Sequence, residues 1–265
     1  MFALHVLASG SKGNATILED VTSHHGILID CGICKRDFLA RAEEAGFNPA
    51  NLDAILITHD HSDHTKGLGV VGRALRKLGC QPTVYALPEV RRASKDIATI
   101  EELFPFEPLT TQQPLSMGDV TIKPFPTSHD AAASCGFRFE SADGDALGYV
   151  TDTGVLGEEA ERHLSNVRLL ALESNHDEYM LQHGEYPYHL KVRIASGRGH
   201  LSNAQAEEAL AKLAHPGLEQ VVAMHLSENN NMPPYARQAL ERALTSAGSS
   251  AKVSVASQYM LVSVQ

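Results

Sequence analysis

His59-Asp60-His61-Ser62-Asp63-His64 follows, after Thr58, on a largely apolar run at residues 52–57. Three imidazoles and two carboxylates fall within six consecutive positions. That density is costly as surface filler and ordinary for a divalent cation site, because neutral imidazole and carboxylate are the usual ligands. The H-x-H-x-D-H spacing lets one turn feed two adjacent ions. An exposed polar loop would not explain why the block leaves a strand-like segment, nor why more ligand-type residues follow strands downstream.

The chain has 265 residues, enough for one large domain with a substantial core, and a single domain over 1–265 is expected. A hydrophobic content of 43% with 20% charged residues is that of a soluble globular protein. The formal charge of -10 argues against long-range capture of nucleic acid, although a local basic patch is compatible with it. Bound cations would add positive charge where a phosphate sits. Of four cysteines, only Cys31 and Cys34 form a C-x-x-C pair, and a zinc ribbon needs a second such pair. Reduced, packed thiols are the expectation, with a redox pair as the alternative. Residues 1–6 carry no basic leader and no apolar run approaches the roughly 20 residues of a membrane span, so a cytoplasmic protein without membrane partners is expected.

Strands are predicted at 4–7, 15–18, 26–29, 54–57, 83–86, 120–125, 136–139, 146–150, 169–172, 220–223, 252–255 and 259–262. Helices are predicted at 35–45, 70–78, 88–93, 156–164, 190–196, 203–214 and 234–247. Residues 99–118, with Pro105, Pro108 and Pro114, read as an irregular connection. Strands interspersed with helices, twice over, suit an α+β chain of two mixed sheets with helices outside, a four-layer αββα sandwich. Each potential ligand lies just after a strand.

Five separated motifs now stand in order: Leu28-Ile29-Asp30, the 59–64 block, Ser128-His129-Asp130, Thr151-Asp152-Thr153-Gly154 and Met224-His225-Leu226-Ser227. Alone, His129 and His225 would be loop histidines and Asp152 a turn residue. Together they resemble the metallo-β-lactamase-fold hydrolases along nearly the whole chain. The resemblance implies that His59, His61 and His129 hold one metal. It implies that Asp63, His64 and His225 hold a second, with Asp152 bridging. A carboxylate can span two cations, and a close pair of ions can share a hydroxide and stabilise both attacking and leaving oxygens. Asp63 would also orient that hydroxide, and Asp30 would hold a ligand histidine by its other ring nitrogen. Zinc, manganese and iron all suit these ligands.

Segment 173–203 narrows the class. Glu173-Ser174-Asn175-His176-Asp177, Tyr186-Pro187, Leu190-Lys191-Val192-Arg193 and Gly199-His200-Leu201-Ser202-Asn203, with Ser9-Gly10-Ser11-Lys12-Gly13-Asn14-Ala15, resemble the YycJ/WalJ subfamily. That implies a metal-dependent phosphodiesterase, a 5′-exonuclease acting on DNA. By comparison with tRNA 3′-processing enzymes of the same fold, His200 would protonate the leaving oxygen and Glu173 would orient its imidazole. His200 could instead be a helix-start residue, with Ser202 or Asn203 merely capping the next helix. Lys191, Arg193 and Arg198 form a local basic stretch suited to phosphates; Lys12, Lys66 and Arg73/Arg76/Lys77 would extend it or form ordinary solvated faces. The roles of Asn175, His176 and Asp177 stay open. The alternatives are a thioester or lactone hydrolase on the same scaffold, and a non-catalytic metal-binding signalling module.

Overall fold

The computed structural model describes all 265 residues, which divide into two compact units. The first comprises Met1–Thr110, Ala131–Ser134 and Ser257–Gln265. Its sheet has the spatial order β14-β1-β2-β3-β4-β5-β6, from β1 (Phe2–Ala8), β2 (Ala15–Asp20), β3 (His25–Ile29), β4 (Leu52–Leu56), β5 (Thr83–Ala86), β6 (Phe106–Pro108) and β14 (Val262–Val264). β14, β1, β2 and β3 pair antiparallel, whereas β3 to β6 run parallel. All seven residues of β1 are buried, which is why it reads as an apolar run broken only by His5, which pairs with Glu19 at 2.9 Å. The helices are α1 (Lys35–Glu44), α2 (Ser62–Thr65), α3 (Leu68–Lys77), α4 (Pro88–Ala93) and α5 (Lys95–Glu101). Phe38 and Ala42 of α1, and Leu68, Val71 and Leu75 of α3, recur at helical spacing and are buried.

The second unit comprises Thr111–Asp130 and Cys135–Ala256. Its sheet has the order β13-β12-β11-β10-β9-β8-β7, from β7 (Leu115–Met117), β8 (Val120–Pro126), β9 (Cys135–Ser141), β10 (Ala146–Val150), β11 (Leu169–Glu173), β12 (Gln220–Met224) and β13 (Lys252–Val255). β10 to β13 are parallel, and β7 to β10 antiparallel. The helices are α6 (Glu158–Leu164), α7 (Glu178–His183), α8 (Tyr188–Ile194), α9 (Asn203–Leu213) and α10 (Pro233–Ser246). Val150, Leu172 and Val221 from the strands form one buried cluster with Leu210 of α9 and Leu240 of α10.

The expected elements are present, α2 and α5 are additional helices that no expectation covered, and several segments differ from expectation. Residues 99–118 hold the end of α5 and the short strands β6 and β7; three-residue strands leave too little pattern to read from sequence. α7 was not expected; the Asp177 carboxylate starts it by accepting from Met180 N at 2.9 Å. The last strand begins at Val262, not at 259. The helix expected at 190–196 starts at Tyr188, just after Pro187. All four cysteines are free thiols; Cys31 is buried, and that burial, reinforced by Asp30, pushes its thiol well above the usual range. No helix is long and apolar enough to cross a membrane.

In both sheets the parallel strands end where the ligand-type residues begin. Asp30 follows β3, His59 lies three residues beyond β4, Asp152 two beyond β10, Glu173 closes β11 and His225 follows β12. Carboxyl ends of parallel strands are where such sheets place their chemistry.

Candidate metal centre

In the first unit, the exit from β4 delivers Thr58 and His59, and the four-residue helix α2 then carries Asp63 and His64 with His61 at its N-cap. His59 and His64 are fully buried, while His61 and Asp63 are partly open. The His59 ring lies 4.7 Å from that of His61 and 4.1 Å from that of His64, centroid to centroid. Asp30 organises this group from below. Its Oδ1 accepts from Thr58 N at 2.8 Å, and its Oδ2 accepts from Thr58 Oγ1 at 2.8 Å and from His64 Nδ1 at 2.7 Å. Donating at Nδ1 leaves His64 with its lone pair at Nε2, the tautomer a metal ligand needs.

Asn14, which the sequence placed only within the 9–15 motif, is a further residue of this group. Its Nδ2 lies 2.9 Å from His64 Nε2 and 3.4 Å from Asp63 Oδ2, and its backbone N donates to Asp63 O at 2.8 Å. Gly32 makes this approach possible, since a Cβ there would sit 1.5 Å from Asp63 O.

The second unit presents its own group. Asp152, Glu173, His200 and His225 each offer one ligand atom, and these atoms all lie within 4.8 Å of one another. His129 joins them: its Nε2 is 3.8 Å from Asp152 Oδ1, and its Nδ1 meets Gly199 O at 2.9 Å. As in His64, that contact turns Nε2 toward the carboxylate. Burial pushes His129 below its ordinary value, against the pull of Asp152, which favours the neutral form that can ligate.

Glu173 is completely buried. Its Oε1 accepts from His200 Nδ1 at 2.7 Å, and its Oε2 accepts from Thr153 N at 2.9 Å and Leu201 N at 3.2 Å. Burial alone would raise its carboxyl, but His200 and His225 outweigh it and hold Glu173 well below the usual carboxylate range. His200 stacks at 5.2 Å on His225 and keeps 19% of its side chain exposed. Its Nδ1 is committed to Glu173, so Nε2 is the nitrogen left to act. Ser202 closes a capping box with Gln205 at the start of α9. His200 itself therefore does not cap that helix.

The residues left open acquire distinct places. Asn175 Nδ2 donates to His225 O at 2.7 Å and so tethers that residue. Asp177 caps α7. His176 is buried with no hydrogen-bond partner at Nδ1, and burial pushes its imidazole down to about 4. The basic stretch is partly committed internally. Arg193 pairs with Asp130, Arg198 donates to His129 O at 3.2 Å and Lys191 to Gln182 O at 2.9 Å.

The donor set fits a divalent cation. Imidazoles fixed through Nδ1, beside buried carboxylates, are what such an ion requires. A family model described as a beta-lactamase superfamily domain matches residues 25–226. The chain belongs to the beta-lactamase superfamily. Within that superfamily it is 33% identical to the exodeoxyribonuclease WalJ of Streptococcus pneumoniae over 248 residues, 93% of this chain and 89% of that protein. It is 34% identical to the exodeoxyribonuclease YycJ of Bacillus anthracis over 249 residues, 92% of this chain and 89% of that one. Among solved structures, the metallo-beta-lactamase fold protein YhfI of Bacillus subtilis matches with a TM-score of 0.71 at 17% identity, covering 99% of both chains. That likeness shows the fold class, the αββα metallo-β-lactamase sandwich of two mixed sheets with flanking helices.

Proposed function

We propose that the chain is a single-domain, cytoplasmic 5′-exodeoxyribonuclease with a dinuclear metal centre fed by both groups of residues. His59, His61 and His129 would hold one ion, and Asp63, His64 and His225 the other, with Asp152 between them. When bound, two divalent cations supply an activated water and neutralise charge that builds on the phosphate. Manganese, zinc and iron all suit the donors. Asp63 orients the attacking water through its carboxylate. His200 gives a proton from Nε2 to the departing 3′ oxygen, while Glu173 holds Nδ1 and orients the ring.

The observation that carries this reading is the His200–Glu173 pair, 2.7 Å apart with the carboxylate fully buried. A phosphodiester's leaving alkoxide needs such a donor; a thiolate leaving from a thioester does not. The exodeoxyribonuclease names of the two relatives point the same way.

Metal-stripped protein reloaded with manganese, zinc or iron should release mononucleotides from a 5′-phosphorylated, end-labelled duplex or single strand. The same preparations should leave a glutathione thioester and a lactone intact. Turnover of the thioester or lactone alone would replace this reading with the rival hydrolase. Inactivity on every substrate with all three metals would favour a signalling module. Elemental analysis should find close to two metals per chain, and one fewer in Asp152→Ala; full occupancy in that variant would remove the bridging role.

A further inference from the structure

A groove of about 920 Å³ lies on the first unit between α1 and α3, two helices that pack against each other. None of the candidate metal ligands lines it. Its floor is aliphatic, formed by Leu39, Val70, Ala74, Leu78 and Leu103. Val70 and Leu78 are 40% and 50% exposed, much for large apolar side chains lining one groove. Its rim carries Lys35, Arg36, Arg73, Arg76 and Lys77, and no acidic residue lines it. Arg36 meets its neighbour Asp37 at 3.1 Å; the other four cations have no carboxylate partner. This concentration stands out in a chain of net charge -10.

Local helix stability explains only some of these charges. Arg76 and Lys77 sit in the last turn of α3, where cations suit the helix dipole. Lys35 and Arg36 occupy the first two positions of α1, where positive charge opposes it. The cations converge on the groove from two helices, one of which gains nothing from them.

We propose that this groove docks an acidic peptide segment of a partner protein, with apolar side chains of that segment seated on the aliphatic floor. Carboxylates flanking those anchors would meet the cationic rim, and an amphipathic helix laid between two helices is an established way to fill such a groove. Nucleic acid suits it less well. A duplex is too wide to descend between adjoining helices and would leave the floor bare. A single strand would find no aromatic ring to stack on among the lining residues.

The probe is a short fluorescein-labelled peptide of glutamate and leucine, with leucine at every third or fourth position, titrated with the full chain and followed by anisotropy. The expected result is saturable binding that weakens at least about tenfold when the leucines become serine. It should weaken by a similar factor in the Arg76→Glu/Lys77→Glu variant, whose circular dichroism should match the parent because both side chains are exposed. A second variant, Lys35→Glu/Arg36→Glu, should weaken binding while improving the start of α1. Equal affinity for the leucine and serine peptides, or unchanged affinity in both charge-reversed variants, would overturn the proposal. So would a short DNA duplex that binds the parent chain, loses affinity in those variants and is not displaced by the peptide. No step of the test involves hydrolysis, so its outcome stands apart from that of the nuclease assay.

Discussion

Asp30, Asp152 and His225 share an uncommon backbone, with φ of 58°, 54° and 56°. A residue bearing a Cβ enters this left-handed region at some energetic cost, and such positions cluster where function requires them. All three fall just beyond a parallel strand, where the turn redirects the side chain out of the sheet's alternation. Motif order and the family resemblance it carries nominate Asp152 and His225 as ligands and Asp30 as the support of a ligand histidine, which is His64. The reversal of backbone hand was not legible, because nothing local in Leu28-Ile29-Asp30 or Met224-His225 demands it. His200 gives the sharpest test at this scale. His200→Ala should lower turnover on a phosphodiester by about 10²–10⁴-fold and leave metal content intact. Loss of metal along with activity would make His200 a ligand instead of a proton donor. His176 gives another. Its imidazole sits at about 4 in the folded chain against an ordinary value near 6.5. Between those two pH values the unfolded chain binds the extra proton, so stability should fall as pH drops through that window, by up to roughly 3 kcal/mol. Urea midpoints of the metal-free chain and of His176→Gln, measured from pH 7 to 4, should diverge at low pH with the variant flatter. Parallel curves would show that His176 carries none of the dependence.

Among the elements, α2 does the most with the least. Four residues cannot hold a helix by propensity, so its position comes from neighbours. Cys31 N donates to His64 O at 2.7 Å, Asn14 N to Asp63 O at 2.8 Å, and Thr65 Oγ1 to Asp96 at 2.9 Å. Gly32 lies against this turn with no room for a Cβ, which would sit 1.5 Å from Asp63 O and 2.9 Å from Asn14 N. Gly32→Ala should therefore force the Asn14 loop and α2 apart. The expected cost is roughly 1–3 kcal/mol in a denaturant titration, together with loss of metal from the Asp63/His64 side. An alanine variant with parental stability and full metal content would show that the two segments separate freely. The long periodic helices α1, α3, α9 and α10 could be read from sequence. β6, β7 and α7 could not, because pairing partners and a single Asp177 cap decide segments this short.

At the scale of the whole molecule, buried charge sets the expectation. Asp152 and Glu173 are both buried, as are His59, His64, His129 and His225. A cation bound only by the folded chain stabilises it by mass action, about 2.7 kcal/mol at a hundredfold excess over its dissociation constant. Removing metal with a chelator should lower the melting temperature by about 5–10 °C, and manganese or zinc should restore it. An unchanged melting curve, with metal loss verified by elemental analysis, would mean that the buried imidazoles and carboxylates are satisfied without an ion.

Side-chain chemistry and short-range spacing are properties of the chain alone. They determined the inventory of candidate ligands, its position at strand exits and the motifs that carry the family resemblance; the pairing of Glu173 with His200 was implied by that resemblance. Tertiary structure decided what orients those groups. Gly199 O fixes His129 from 70 residues away, Asn14 reaches His64 across 50, and Asn175 tethers His225 across 50. It also decided that cations from α1 and α3 meet around one aliphatic groove. Contacts of this kind leave no periodicity behind. They exist only once the sheets have brought distant loops to within hydrogen-bonding distance, and which groups then meet depends on backbone conformation that residue order does not reveal.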